Sequence, residues 1–158
     1  MFTVALGQIV HTHRFGDFSL EAGAFALIMA NDLLEHLPYL VAAMTSSLFL
    51  LKEWDEMHVQ VPYDLSYSAW QDPTHVRAFN GWSWLYYTDW YWYLGWKTER
   101  FNLVKQEFAL SPLGRLLQGQ NVAVAEILRT SRAVGLIVVV LKKNKNYEIS
   151  IIVYKIKV

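Results

Sequence analysis

Three consecutive patterns between Phe25 and Val61 leave this chain few ways to fold. Phe25 to Ala30 (Phe-Ala-Leu-Ile-Met-Ala) is an unbroken apolar run, bounded by Ala-Gly before it and Asn31-Asp32 after it, as expected of a strand buried on both faces. After Pro38, the stretch Tyr39 to Lys52 sets Leu40, Ala43, Met44, Ser47, Leu48 and Leu51 at three- and four-residue spacings, the stripe of an amphipathic helix. Met57 to Val61 then alternates apolar with polar and stops at Pro62, which has no N–H to give a ladder. Strand, helix and strand in this order make a crossover unit, so the chain is predicted to be α/β with a parallel sheet at its centre.

The flanking segments fit one domain. At 158 residues and 54% hydrophobic content the chain has enough apolar material for one sizeable core, and no linker, repeat or low-complexity tract divides it. Residues 8 to 18 alternate loosely and end in Gly16-Asp17-Phe18, a short strand running into a loop. Residues 63 to 99 break the pattern with turn signals at Asp72-Pro73, Asn80-Gly81 and Gly95, an irregular insertion with a short helix. Phe101 to Leu110 reads as a strand, Leu113 to Leu128 as a weaker helix, and Ala133 to Leu141 as a strand. Lys142 to Asn146 is turn-like, and the β-rich tail Tyr147 to Val158 suggests a terminal hairpin.

Charge and cysteine usage exclude several partners. Lys plus Arg and Asp plus Glu total 14 each, so net charge is zero and no global field draws in nucleic acid or an acidic membrane. Absence of cysteine removes disulfides, thiolate metal sites and a cysteine nucleophile, and fits a reducing compartment, with the cytoplasm as default. Met1 to Val10 lacks a basic start and a small-residue cleavage site, so no signal peptide is expected. The longest apolar stretches, such as Ala133 to Leu141, reach nine residues. A membrane-crossing helix needs about 20.

Asp72 and His75 share one polar loop beside Arg77, where they would serve as a general base with an orienting carboxylate or as anchors for a polar substrate. The competing reading is a self-satisfied loop, with Asp72 capping the turn at Pro73 and His75 packed on an aromatic ring. His11, His13, His58 and Glu35 invite a metal reading, but strand histidines without a matched third ligand are usually half-exposed polar positions, so no metal is expected. Nine aromatic residues crowd Trp82 to Trp96, and something must cover them. Exposed rings and an open sheet edge would favour a homo-oligomer or a partner chain.

Directly after the first buried strand, Asn31-Asp32-Leu33-Leu34-Glu35-His36-Leu37-Pro38 resembles the fourth-strand motif of bacterial class I S-adenosylmethionine-dependent methyltransferases of the type 11 and type 23 kind. Gly16-Asp17-Phe18 resembles the end of that family's third strand. Leu50-Leu51-Lys52-Glu53-Trp54-Asp55-Glu56-Met57 is similar to its Leu-Lys-Pro-Gly-Gly entry into the fifth strand, with Pro-Gly-Gly replaced. Pro62-Tyr63-Asp64 and Asp72-Pro73-Thr74-His75-Val76-Arg77-Ala78-Phe79 look like the insertion after the fifth strand, where substrate is received.

The resemblance spans about residues 14 to 141 and implies a partial Rossmann-like methyltransferase sheet, strands three to seven, with S-adenosylmethionine as cofactor. By resemblance Asp17 and Phe18 would meet adenine, and Asn31 and Asp32 the cofactor's flank. Glu35 and His36 would line the cofactor pocket, although Glu35 fits equally well at the start of the following helix. Tyr63, Asp72, His75 and Arg77 would face a small or glycan-like acceptor, with Arg77 paired to any anionic group on it.

Upstream, family members carry a glycine-rich loop after a first strand and an acid after a second. Here the only glycine before Gly16 is Gly7, and the family's Phe-Asp start to the fourth strand reads Phe25-Ala26. Two expectations follow: an N-terminally truncated methyltransferase-like enzyme, or a non-catalytic remnant that persists as a binding or structural oligomer.

Overall fold

The computed structural model describes residues 20–144 in full, together with the backbone of three short strands, β1 (Phe2–Val4), β2 (Gln8–Val10) and β7 (Tyr154–Lys157). The other strands are β3 (Phe25–Asn31), β4 (Leu51–Pro62), β5 (Arg100–Leu110) and β6 (Val134–Asn144). Helices are α1 (Leu40–Leu50), α2 (Ser68–Gln71), α3 (Pro112–Gly119) and α4 (Val124–Arg129). The strands form one sheet in the order β2-β1-β3-β4-β6-β5-β7.

The crossover unit is present. β3 and β4 pair in parallel through α1, which buries Leu40, Ala43, Met44, Ser47 and Leu48, the faces the spacing predicts. The remaining core pairs, β4 with β6 and β6 with β5, are antiparallel, so the sheet is mixed rather than parallel throughout. Burial of β3 is also less complete than expected: Ile28 and Ala30 are buried, Leu27 and Met29 are half-buried and Ala26 is exposed. Among the described residues α1 is the crossover helix beside β3, and a single helix covers one face of a strand.

Where the resemblance predicts a glycine turn into the strand, α1 instead runs straight into β4. Leu51 is already extended while its N–H still bonds Ser47 O. The register moves from Phe25↔Leu51 to Leu27↔Glu56, so the extra residues of β4 bulge out, and Trp54 adopts a left-handed φ of 71°. Bulging absorbs residues that a chain without Pro-Gly-Gly cannot turn away from the sheet.

Three further expectations are corrected in the last third of the chain. Lys142 to Asn144 continue β6 rather than turning, because Lys143 finds partners in the interior: its Nζ donates to Leu51 O at 2.9 Å and lies 3.5 Å from Glu99 Oε2. β7, the described part of the tail, does not pair with β6. Both sides of β6 are taken, by β4 and β5, and β7 pairs in parallel with the outer edge of β5. The segment expected to be one weak helix, Leu113 to Leu128, divides into α3 and α4 at Asn121, which sits at φ 59°.

The insertion contains α2 and two 3₁₀ turns, Ser83–Tyr87 and Tyr91–Leu94. Trp84 and Tyr87 are buried, while Trp82, Trp92 and Tyr93 remain 70%, 65% and 68% exposed. Burial pushes the Tyr87 phenol from 10.0 up to about 12, against a small opposing pull from Arg77. Between those two values the folded chain keeps a proton that the unfolded chain releases. Stability present below the lower value is therefore lost as pH rises toward the upper one. Tyr87→Phe should flatten that alkaline loss, on the order of 2–3 kcal/mol, in urea unfolding midpoints followed across the interval.

Candidate functional site

The chain leaves β3 at Asn31 and turns at Asp32, which takes a left-handed φ of 47°. Asp32 N–H donates to Gln60 O at 2.9 Å, and Gln60 Nε2 donates to Asp32 Oδ2 at 3.3 Å, so the turn is fixed to β4. Asn31 and Asp32 are both exposed. They stand at the carboxyl edge of the parallel β3–β4 pair, where open α/β sheets receive ligands.

Beyond Leu33 a 3₁₀ turn, Leu34–His36, carries Glu35 into the interior at 1% exposure. Glu35 therefore does not begin α1, which starts at Leu40. The insertion folds over this turn. Val76 N–H donates to Glu35 O at 2.9 Å, and Arg77 Nη2 donates to Leu37 O at 2.6 Å and Pro38 O at 2.9 Å. Arg77, expected at an acceptor's anionic group, is a clamp on the backbone.

The clamp brings His75 edge-on to His36, ring centroids 4.5 Å apart at 76°. His75 Nδ1 lies 3.0 Å from Ala69 O, which can only accept, so that nitrogen carries the proton and Nε2 is a free lone pair. His36 Nδ1 lies 2.9 Å from Thr74 Oγ1, whose own hydrogen goes to Asp72 Oδ1 at 2.6 Å. His36 is thus the donor there, and its Nε2 is also free. Neither oxygen of Glu35 accepts a hydrogen bond from another described residue. Burial pushes the Glu35 carboxyl above its ordinary range, an effect that its own backbone N–H, His36 and His75 oppose and Asp32 reinforces.

Asp72 serves Thr74, accepting from its side chain and from its N–H at 2.8 Å, and these bonds hold its carboxyl below the usual range. Its Oδ2 stays 3.9 Å from His75 Nε2. Ala69, not Asp72, orients His75. Both halves of the self-satisfied-loop reading are present: Asp72 closes a turn and His75 packs on a ring.

Tyr63 continues from β4 into a different feature. Its hydroxyl donates to Leu128 O at 2.7 Å, pinning α4, and its ring meets Phe108 edge-on at 5.8 Å. Beside it opens a cleft of about 780 Å³ between the insertion, β5 and α4, lined by Asp64, Asn80, Gln106, Phe108 and Arg129 among others. Asp64 Oδ1 and both polar atoms of the Gln106 side chain are buried there without a hydrogen-bond partner among the described residues. Asp64 and Thr74 lie in the segments quoted for the resemblance without being singled out there, and Gln106 was missed, since a lone polar residue in a strand carries no pattern. Asp17, Phe18, His11 and His13 lie outside the described residues, and His58 pairs with Glu56 at 2.7 Å.

Similarity to known proteins lies in the fold. No family model matches the sequence, and no curated protein matches it. Among solved structures, a SAM-dependent methyltransferase from Archaeoglobus fulgidus aligns at TM-score 0.55 and 17% identity, over 78% of this chain and 62% of its own. The [4+2]-cyclase SpnF aligns at TM-score 0.51 and 14% identity, over 79% of this chain and 52% of its own. The chain thus spans less than two thirds of either neighbour, and it has a partial Rossmann-like sheet of the methyltransferase kind. No helix among the described residues is long and apolar enough to cross a membrane.

Proposed function

We propose that this chain is methyltransferase-like, taking S-adenosylmethionine against the carboxyl edge of β3 and β4 and a small polar or glycan-like acceptor in the neighbouring cleft. The observation that carries this reading is the exposed Asn31–Asp32 pair, fixed to Gln60 at that edge of a methyltransferase-type sheet. Those residues fit one flank of the cofactor, as accessible polar groups in a held turn. When bound, S-adenosylmethionine supplies an electrophilic methyl group. The chain's contribution is positional: alignment of a nucleophilic acceptor gives most of the effect without a general base.

Isothermal titration of the chain with S-adenosylmethionine and its demethylated product tests the reading. Saturable binding near one site per chain is expected, weakened about tenfold in Asp32→Ala. No binding up to about 1 mM ligand would overturn it. That result would favour the second reading, a non-catalytic oligomer, which draws support from the exposed Trp82, Trp92 and Tyr93. The cyclase neighbour adds weight to testing both, since one fold hosts different reactions.

A further inference from the structure

We infer that Glu35, His36 and His75 form a binding site for a divalent first-row transition cation, of which Zn²⁺ is the representative. The site lies in the loop that follows Asn31–Asp32 and does not depend on methyl transfer. One ligand atom from each of the three side chains lies within 4.8 Å of the others. A tetrahedral ion about 2.1 Å from its ligands holds them about 3.4 Å apart, so side-chain movements of roughly 1 Å close the trio.

Three observations go beyond proximity. Glu35 is 1% exposed and neither carboxylate oxygen accepts a hydrogen bond from another described residue, so a carboxyl group is buried without a partner side chain. In their neutral forms both histidines give Nδ1–H to a partner, which leaves Nε2 as the nitrogen open to a metal. The partners that fix those tautomers, Ala69 O for His75 and the Thr74–Asp72 pair for His36, are the carbonyl and carboxylate supports that orient metal-bound histidines. Two imidazoles and one carboxylate suit zinc and its neighbours in the first row, whereas Mg²⁺ and Ca²⁺ prefer all-oxygen sets. Asp72 Oδ2, half-buried and 3.9 Å from His75 Nε2, lies outside the trio, so water would complete the shell.

The strand histidines that suggested a metal in the sequence are not these. His58 is engaged by Glu56, and the trio unites two residues of the β3 loop with one from the insertion, joined by the Val76–Glu35 backbone bond.

The test is titration of the full chain, stripped with chelator and dialysed, with ZnCl₂ alone and without S-adenosylmethionine, alongside Co²⁺ visible absorption. One site per chain and a Co²⁺ spectrum of tetrahedral type are expected. Glu35→Gln, which keeps the side-chain volume, and His75→Ala should each weaken binding at least about tenfold, and Thr74→Val, which leaves all three ligands, should weaken it by about tenfold as well. His58→Ala should leave it unchanged, and circular dichroism confirms that each variant is folded. Absence of saturable binding up to about 1 mM Zn²⁺, or binding that survives the Glu35→Gln/His75→Ala double variant, would overturn the assignment. Because the cofactor is absent from this titration, failure here leaves the methyltransferase-like reading standing, and the reverse also holds.

Discussion

Replacing Gly114 with alanine is expected to destabilise the fold by about 3 kcal/mol, whereas the same change at Gly119 in the same helix should stabilise it by up to about 1 kcal/mol. A Cβ at Gly114 would stand 2.0 Å from Ala133 O and 3.0 Å from Ala133 C, distances no side chain accommodates, and the obstacle is backbone rather than a flexible tip. Neither partner can step aside. Ser111 caps the start of α3 through Gly114 N–H, donates its hydroxyl to Arg132 O at 2.6 Å, and gives its N–H to Ala133 O at 3.0 Å. Helix start and strand start are therefore fastened together at the point where the Cβ would intrude. Gly119 meets nothing within 4 Å, so alanine there only gains helix propensity. Thermal unfolding separates the two: a fall of about 6–12 °C for Gly114→Ala and a rise for Gly119→Ala. Equal effects would mean that α3 is not seated on β6 as described.

Trp84→Ala is the second large effect, about 3–5 kcal/mol by urea unfolding. The ring is fully buried and stacks on Phe79, centroids 5.4 Å apart and planes within 10°. Deletion removes one layer of the packing beneath the Phe79–Gly81 turn. Trp84→Phe should recover most of the loss. It fills much of the volume and also removes an indole N–H that has no acceptor among the described residues, a group whose burial costs about 1–3 kcal/mol. A phenylalanine variant as unstable as the alanine one would show that the N–H is satisfied in solution.

Local patterns carried the middle of the fold and lost hold at its ends. The stripe from Leu40 to Leu51 and the alternation from Met57 to Val61 are periodic signals written in adjacent residues, and each falls on its element, although α1 gives way at Leu51 to a strand that starts before Met57. The fate of Lys142 to Asn144 turned on Leu51 O and Glu99, far away in sequence, so a lysine-rich stretch that reads as a turn became strand. The tail's pairing was undecidable locally for a similar reason: which strand edge stays open depends on the whole sheet. The candidate site divides in the same way. Asn31 and Asp32 stand out because they end an apolar run. The grouping of Glu35 and His36 with His75, and the diversion of Arg77 to Leu37 and Pro38, exist only after the insertion folds back on the β3 loop.

β6 follows β4 and β5 in the chain yet lies between them, with Val134, Ile137, Val139 and Leu141 fully buried. The two strands it joins have no partner in each other, so the middle of the sheet cannot be assembled by extending a finished edge. Such an arrangement joins the halves of the core through contacts between residues far apart in the chain, the kind of pairing that slows folding. Asp32 N–H bonds Gln60 O of β4 and Tyr63 N–H bonds Gly135 O of β6, so the β3 loop and the cleft beside Tyr63 hang from two strands that are themselves paired.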